Sequence, residues 1–277
     1  MTAATATATR QSAVPDARLS AAGLLRSEWT KLRSLRSTVW SYVVAVLLVV
    51  GLSAVICVAT ANHWSQMDPQ ERAHLDPTQL SVAGGFLAQL AIGVLGVLLI
   101  SGEYSTGMIR STMSAVPKRL PALWAKVAIF TVVTFVSMAI SAVVAFLFGQ
   151  KLLRSTGRAA AFGQPDVNRA VLGVALYLTV VGLLGMGLGA LLRHSAGAIS
   201  ALVGVLLVLP IIVNFLPSNW QEHVHKYLPG EAGQQVLITV RDAGGQSLSP
   251  WVGFSVFLGY AVLVMALAAV LLKRRDV

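Results

Sequence analysis

Apolar residues run almost unbroken over six stretches of this chain, at about 38–60, 82–102, 121–148, 170–192, 197–217 and 251–272, and polar or charged residues gather between them. A helix rises about 1.5 Å per residue, so about 20 apolar residues cover a hydrocarbon core of about 30 Å. Each stretch reaches that length. The pattern predicts an all-α integral membrane protein with six transmembrane helices, because a spanning helix satisfies its own backbone hydrogen bonds where water is absent.

The polar segments refine this layout. Residues 1–20 are rich in Ala and Thr, carry Pro15 and have no apolar periodicity, which predicts a disordered tail. From 21 to 37, Leu24, Leu25, Trp29, Leu32 and Leu35 recur at helical spacing, with Glu28, Lys31 and several arginines between them. That is the pattern of an amphipathic helix lying in the membrane interface, with Trp29 at headgroup level and Glu28 and Lys31 on its polar side. A calmodulin-type target or an RNA-binding arm would share the pattern, but neither joins a membrane span directly. A signal peptide would have a shorter apolar run than 38–60. Residues 21–277 are therefore expected to form one transmembrane domain.

After the second apolar run comes Glu103-Tyr104-Ser105-Thr106-Gly107-Met108-Ile109-Arg110, and Met108, Ile109, Met113 and Val116 keep helical spacing up to Pro117. Proline lacks the donor that would carry a helix onward. A short helix across the ends of the spans offers a surface on which another protein can push, and we read it as a coupling element. In the fourth run, Gly185 and Gly189 have the small-xxx-small spacing that lets two helices approach closely. Arg193 to Gly197 leaves room only for a tight hairpin, and Pro210 predicts a kink in the fifth span. Between 218 and 250, one or two short re-entrant or interfacial helices are expected, broken at Pro229-Gly230.

Composition changes the picture in two ways. With 56% hydrophobic and 12% charged residues and a mean hydropathy of +0.73, a soluble domain is excluded. The net charge of +10 is then a topology signal and not a nucleic-acid footprint, since the basic residues flank apolar runs. Placing both termini in the cytoplasm puts 14 of the 21 basic residues and four acids inside, leaving seven bases balanced by seven acids outside. One external loop dissents, with Lys151, Arg154, Arg158 and Arg169 close together.

Chemistry is scarce. The single cysteine, Cys57, lies in an apolar run, and His223 and His225, even with His63 and His74, fall short of a convincing metal set. No phosphate-binding Gly-x-x-x-x-Gly-Lys-Ser/Thr loop, His-Glu-x-x-His pair or nucleophile constellation occurs, so the chain is not expected to be an enzyme. The central parts of the spans hold no Asp, Glu, Lys, Arg or His, which disfavours an ion-coupled carrier.

Ser27-Glu28-Trp29-Thr30-Lys31-Leu32-Arg33-Ser34, six spans, the 103–110 segment and Tyr227-Leu228-Pro229 together resemble the ABC-2 type permease subunits of bacterial ABC transporters, in the versions typical of actinobacteria. The resemblance implies a multi-pass cell-membrane protein that pairs with a second permease subunit. It also implies that ATP is bound by a separate ATPase subunit and that this chain carries no cofactor of its own. The ATPase would dock on the segment holding Glu103, Tyr104, Gly107, Met108 and Arg110; the family usually has a polar residue where Met108 stands. In this reading Glu103 and Arg110 orient and dock the helix, and Gly107 permits close approach. With apolar span interiors, the expected cargo is a hydrophobic or amphipathic drug, peptide or lipid-like compound, moved outward. The competing reading is a membrane anchoring or immunity scaffold that transports nothing.

Overall fold

The computed structural model describes residues 21–105, 107, 119–217, 221, 223–239 and 247–274. Among them every regular element is helical and no strand occurs. The amino-terminal helix Ala21–Ser34 stops at Leu35, whose φ of −76° and ψ of 111° turn the chain into the bundle. Six helices long and apolar enough to cross a membrane follow: Arg36–Gln66, Pro77–Ser105, Leu120–Thr156, Pro165–Leu192, Ser195–Val213 and Pro250–Arg274. We refer to them as the first to sixth spans.

Several helices start in polar sequence outside the apolar runs, and local chemistry explains where. Asp76 accepts the backbone N–H of Thr78 while Pro77 occupies the first turn. A carboxylate cap followed by a proline that needs no donor is a strong helix start. The fourth span likewise opens on Pro165. Pro229 does the same for the short helix Pro229–Gln234, so the break expected at the Pro229-Gly230 pair falls at Leu228, between the turn His225–Tyr227 and the helix that Pro229 opens.

The fourth span is the centre of the bundle. Its most apolar stretch is 78% buried and that of the second span 61%, against 28% or less for the other four, which present their outer faces to lipid. Glycine makes the central pair possible. A Cβ on Gly185 would lie 2.4 Å from the Gly93 carbonyl oxygen and one on Gly189 would lie 2.7 Å from that of Val97. The second and fourth spans thus meet backbone to backbone, and dispersion between close-packed main chains takes the place of side-chain interdigitation.

Two spans depart from α geometry. The first has a π-turn at Leu48–Leu52, and its Leu48 carbonyl comes so close to Gly84 that a Cβ there would sit 2.0 Å away. Gly84 lies between the helical segments Pro77–Val82 and Gly85–Ser105 of the second span and donates its N–H to Ser53 Oγ at 2.9 Å. The fifth has a π-turn at Gly204–Val208, directly before Pro210. A wider turn ahead of proline accommodates the missing donor and the ring, so the expected kink takes the form of a π-turn.

At the end of the bundle remote from the amino-terminal helix, the connections are tied together. Gln150 Nε2 donates to the Pro77 carbonyl at 3.0 Å and to Ser81 Oγ at 2.9 Å, and its Oε1 accepts from Ala160 N. Thr239 donates to Asp76. The basic 149–169 region belongs to the same lattice: Arg158 donates to the Ala73 carbonyl, and Arg169 bridges Asp166 and the Ile238 carbonyl at 3.0 and 2.9 Å. Half of that loop's dissenting charge is thus engaged in structural contacts with the neighbouring connections.

Candidate functional site

At the amino-terminal end of the bundle, four charged side chains from three elements meet. Glu28 and Lys31 come from the amino-terminal helix, Glu103 from the end of the second span and Lys126 from the start of the third. Lys126 Nζ lies 2.7 Å from Glu103 Oε1 and 3.0 Å from Glu28 Oε2. Lys31 Nζ lies 2.8 Å from Glu28 Oε1 and 3.6 Å from Glu103 Oε1. The four form a ring of alternating sign with no net charge.

The ring is largely withdrawn from solvent: Glu28, Lys126 and Glu103 side chains are 8%, 12% and 15% exposed and Lys31 is 31% exposed. Burial alone would raise the Glu28 carboxyl, but the nearby Lys126 charge and hydrogen bonds from Lys31 and Lys126 outweigh it and hold Glu28 below its ordinary value. Burial would likewise lower Lys31, and its contacts with Glu28 and Glu103 overcome that and raise it. Charged groups this close to an apolar bundle persist only when paired. Beside the ring lies a cavity of about 150 Å³, walled by Leu32, Leu35, Leu95, Leu99 and Ile129 and by the small polar Ser37 and Thr38.

The amino-terminal helix is therefore oriented differently from a simple interfacial helix. Glu28 and Leu32 share the buried face against the bundle, whereas Leu25 and Trp29 are exposed, Trp29 at 45%. Leu25 and Trp29 point outward, where headgroups and acyl chains would meet them, while Leu32 packs inward.

The end of the second span makes two further contacts. Ser101 Oγ and Ser195 Oγ share a hydrogen bond of 2.8 Å, and the Arg193 guanidinium lies 5.1 Å from the centre of the Tyr104 ring. Arg193 holds a left-handed φ of 54° at the tip of the hairpin between the fourth and fifth spans, and His194 caps the fifth span by accepting from Gly197 N. Gly107 has a φ of 70° and its N–H donates to the Tyr104 carbonyl. Glycine is needed here because the chain ends a helix in the left-handed region; among the described residues nothing approaches the position of its missing side chain. Met108 and Arg110 lie outside the described residues.

The sequence places Glu28, Lys31 and Glu103 among the candidate site residues but gives none of them its partner. Lys126 was missed as a site residue, although a signal exists: opposite charges stand at the two ends of the polar connection between the second and third apolar runs. A second omission lies deeper. Gln89 in the second span is fully buried and accepts a hydrogen bond from the Tyr177 hydroxyl of the fourth. An amide inside an apolar run is the signal that could have found it. The glycines Gly185 and Gly189 sit on the seam described above, away from the ring. Among the described residues no group of three or more His, Cys, Asp or Glu side chains comes together to hold a metal ion.

The arrangement ties the end of one central span to three other parts of the bundle, and the residues immediately beyond that end are those expected to meet a partner. Residues 24–215 match the family model described as ABC-2 family transporter protein. Comparison with curated protein sequences finds no match.

Proposed function

This chain belongs to the ABC-2 family of transporter proteins and is a membrane-spanning permease subunit of an ABC transporter; we propose that it exports a hydrophobic or amphipathic compound, driven by an ATPase subunit that docks beyond the second span. The family implies the ATPase partner. The observation that carries the docking reading is the ring at Glu103, four residues ahead of Gly107. An ATPase closing on ATP would push the 104–115 segment, and Glu103 would pass the movement to Lys126 on the third span and Lys31 on the amino-terminal helix. Because the interior of a close-packed bundle does not deform smoothly, such a push repacks the spans and shifts the pathway between inward and outward access. A second permease subunit would complete the pathway.

The test is made with the permease and its ATPase reconstituted together. Glu103→Ala and Arg110→Ala are each expected to lower transport-coupled ATP hydrolysis about tenfold, the equivalent of about 1.4 kcal/mol of coupling, while leaving membrane insertion intact. Unchanged coupling in both variants would overturn the docking reading and favour an anchoring scaffold.

We further propose that both termini are cytoplasmic, which places the end carrying the 149–169 connection outside. Ser155 is exposed there, and Cys57 is buried. A Ser155→Cys substitution in a Cys57→Ala background should react with a membrane-impermeant maleimide added to intact cells. Labelling that appears only after lysis would invert this topology.

A further inference from the structure

At the end of the bundle opposite the charge ring lies a cavity of about 340 Å³ between the start of the second span, the fourth span and the Pro229–Gln234 helix. We propose that this cavity binds a lipophilic organic cation, with Glu231 as its counter-ion. The proposal rests on the export reading for its transport meaning and on the cavity's own chemistry for the binding.

Among the described residues Glu231 is the one acidic or basic side chain that lines the cavity. Its side chain is one-third exposed and lies 4.0 Å from the His225 imidazole. Among the described residues no lysine or arginine lines the cavity. Arg169 approaches the same region, but it is engaged with Asp166 and the Ile238 carbonyl. Gln79, Gln234 and Gln235 also line the cavity, and an amide oxygen is a group that can accept from an ammonium N–H or turn its dipole toward a quaternary or phosphonium centre. Phe86 also lines the cavity and is 51% exposed. A carboxylate, amide oxygens and an aromatic face at the mouth of an apolar pocket are the groups that recognise an organic cation. Val82, Ala83, Leu237 and Ile238 supply walls for its apolar part.

A second observation points inward from the same place. Tyr177 lines the cavity and donates its hydroxyl to Gln89, whose amide nitrogen is buried and has no hydrogen-bond partner among the described residues. Leaving a buried amide donor unsatisfied is costly. Retaining this polar pair between the two central spans, where a leucine would pack more cheaply, extends the polar lining from the cavity toward the middle of the bundle.

The full-length chain in nanodiscs of zwitterionic lipid can be tested with two probes of the same shape and opposite charge, tetraphenylphosphonium and tetraphenylborate, with empty nanodiscs correcting for partition. The wild type is expected to bind the cation and not the anion above that background. Glu231→Gln should weaken cation binding about tenfold, the size of one charge-assisted contact. Glu231→Lys should reverse the preference toward the anion, a gain that misfolding cannot produce, and Ala83→Trp should abolish binding of either. Equal cation affinity in the wild type and Glu231→Gln, or equal binding of both probes by the wild type, would overturn the site. If the cation binds with these preferences but is not moved by ATP in the presence of the ATPase, the site stands and the export reading falls.

Discussion

A Lys126→Met variant is expected to lose about 3 kcal/mol of stability, because removing one partner of a buried ion pair leaves the other charge uncompensated. Here two charges are affected. Glu28 Oε2 and Glu103 Oε1 both rely on Lys126 Nζ, at 3.0 and 2.7 Å, and among the described residues Lys31 remains to face them. The loss should appear as a lower midpoint for heat-induced aggregation in detergent. A variant that neutralises all four members, Lys31→Met/Lys126→Met/Glu28→Gln/Glu103→Gln, should recover much of it, since replacing a whole buried network is cheaper than breaking it. A Lys126→Met protein as stable as the wild type would show that the ring is solvated and carries little energy.

The pH profile gives a second reading of the same prediction. Glu28 is held below its ordinary 4.5, so its contribution is complete above that value and is lost as pH falls through the lower folded value. Lys31 is raised above 10.5, so its contribution is complete below that value and is lost as pH rises through the higher folded one. Stability from these two groups should therefore be flat across the range between, with losses only at its acid and alkaline edges. Without Lys126, Glu28 loses the foremost of the groups that lower it, so the acid edge should move to higher pH.

What the sequence disclosed and what it hid follow from the range of the interactions concerned. Spans are local objects: their length and apolarity are written in consecutive residues, and all six could be placed before any coordinates were known. Pairings are not local. Glu103 and Lys126 are 23 positions apart and Gln89 and Tyr177 are 88 apart, and no periodicity within one segment records which distant group a side chain will meet. Charges at span ends were therefore counted for topology when they also close a ring. The amino-terminal helix shows the same limit, since its apolar residues revealed a helix but not that Glu28 would share the buried face with Leu32. Proline marks a boundary at Pro229, where one helical turn has ended and the first-turn position of the next helix suits it. The π-turns left no trace in composition because they are responses to packing against Gly84 and to Pro210.

The largest effect is expected at the seam between the two central spans. Gly185→Val would place its Cβ 2.4 Å from the Gly93 carbonyl oxygen and 3.3 Å from the Val97 nitrogen. Both obstacles are backbone, so no rotamer change relieves them and the second span must move. Overpacking a core usually costs about 1–3 kcal/mol when side chains can adjust, and a backbone clash belongs at or above the top of that range. The second span also holds Glu103 at one end and lines the Glu231 cavity at the other, so a displaced seam disturbs both sites at once. Gly185→Val should accordingly be recovered poorly from membranes and elute as aggregate in fluorescence-detected size exclusion. Gly259→Ala is the matched control: it also fills a glycine in a span, nothing lies within 4 Å of the new methyl group, and helix propensity favours alanine by about 1 kcal/mol. A monodisperse Gly185→Val protein with an unchanged aggregation midpoint would mean that the second and fourth spans do not meet backbone to backbone, and the common frame linking the charge ring to the cavity would be lost with that contact.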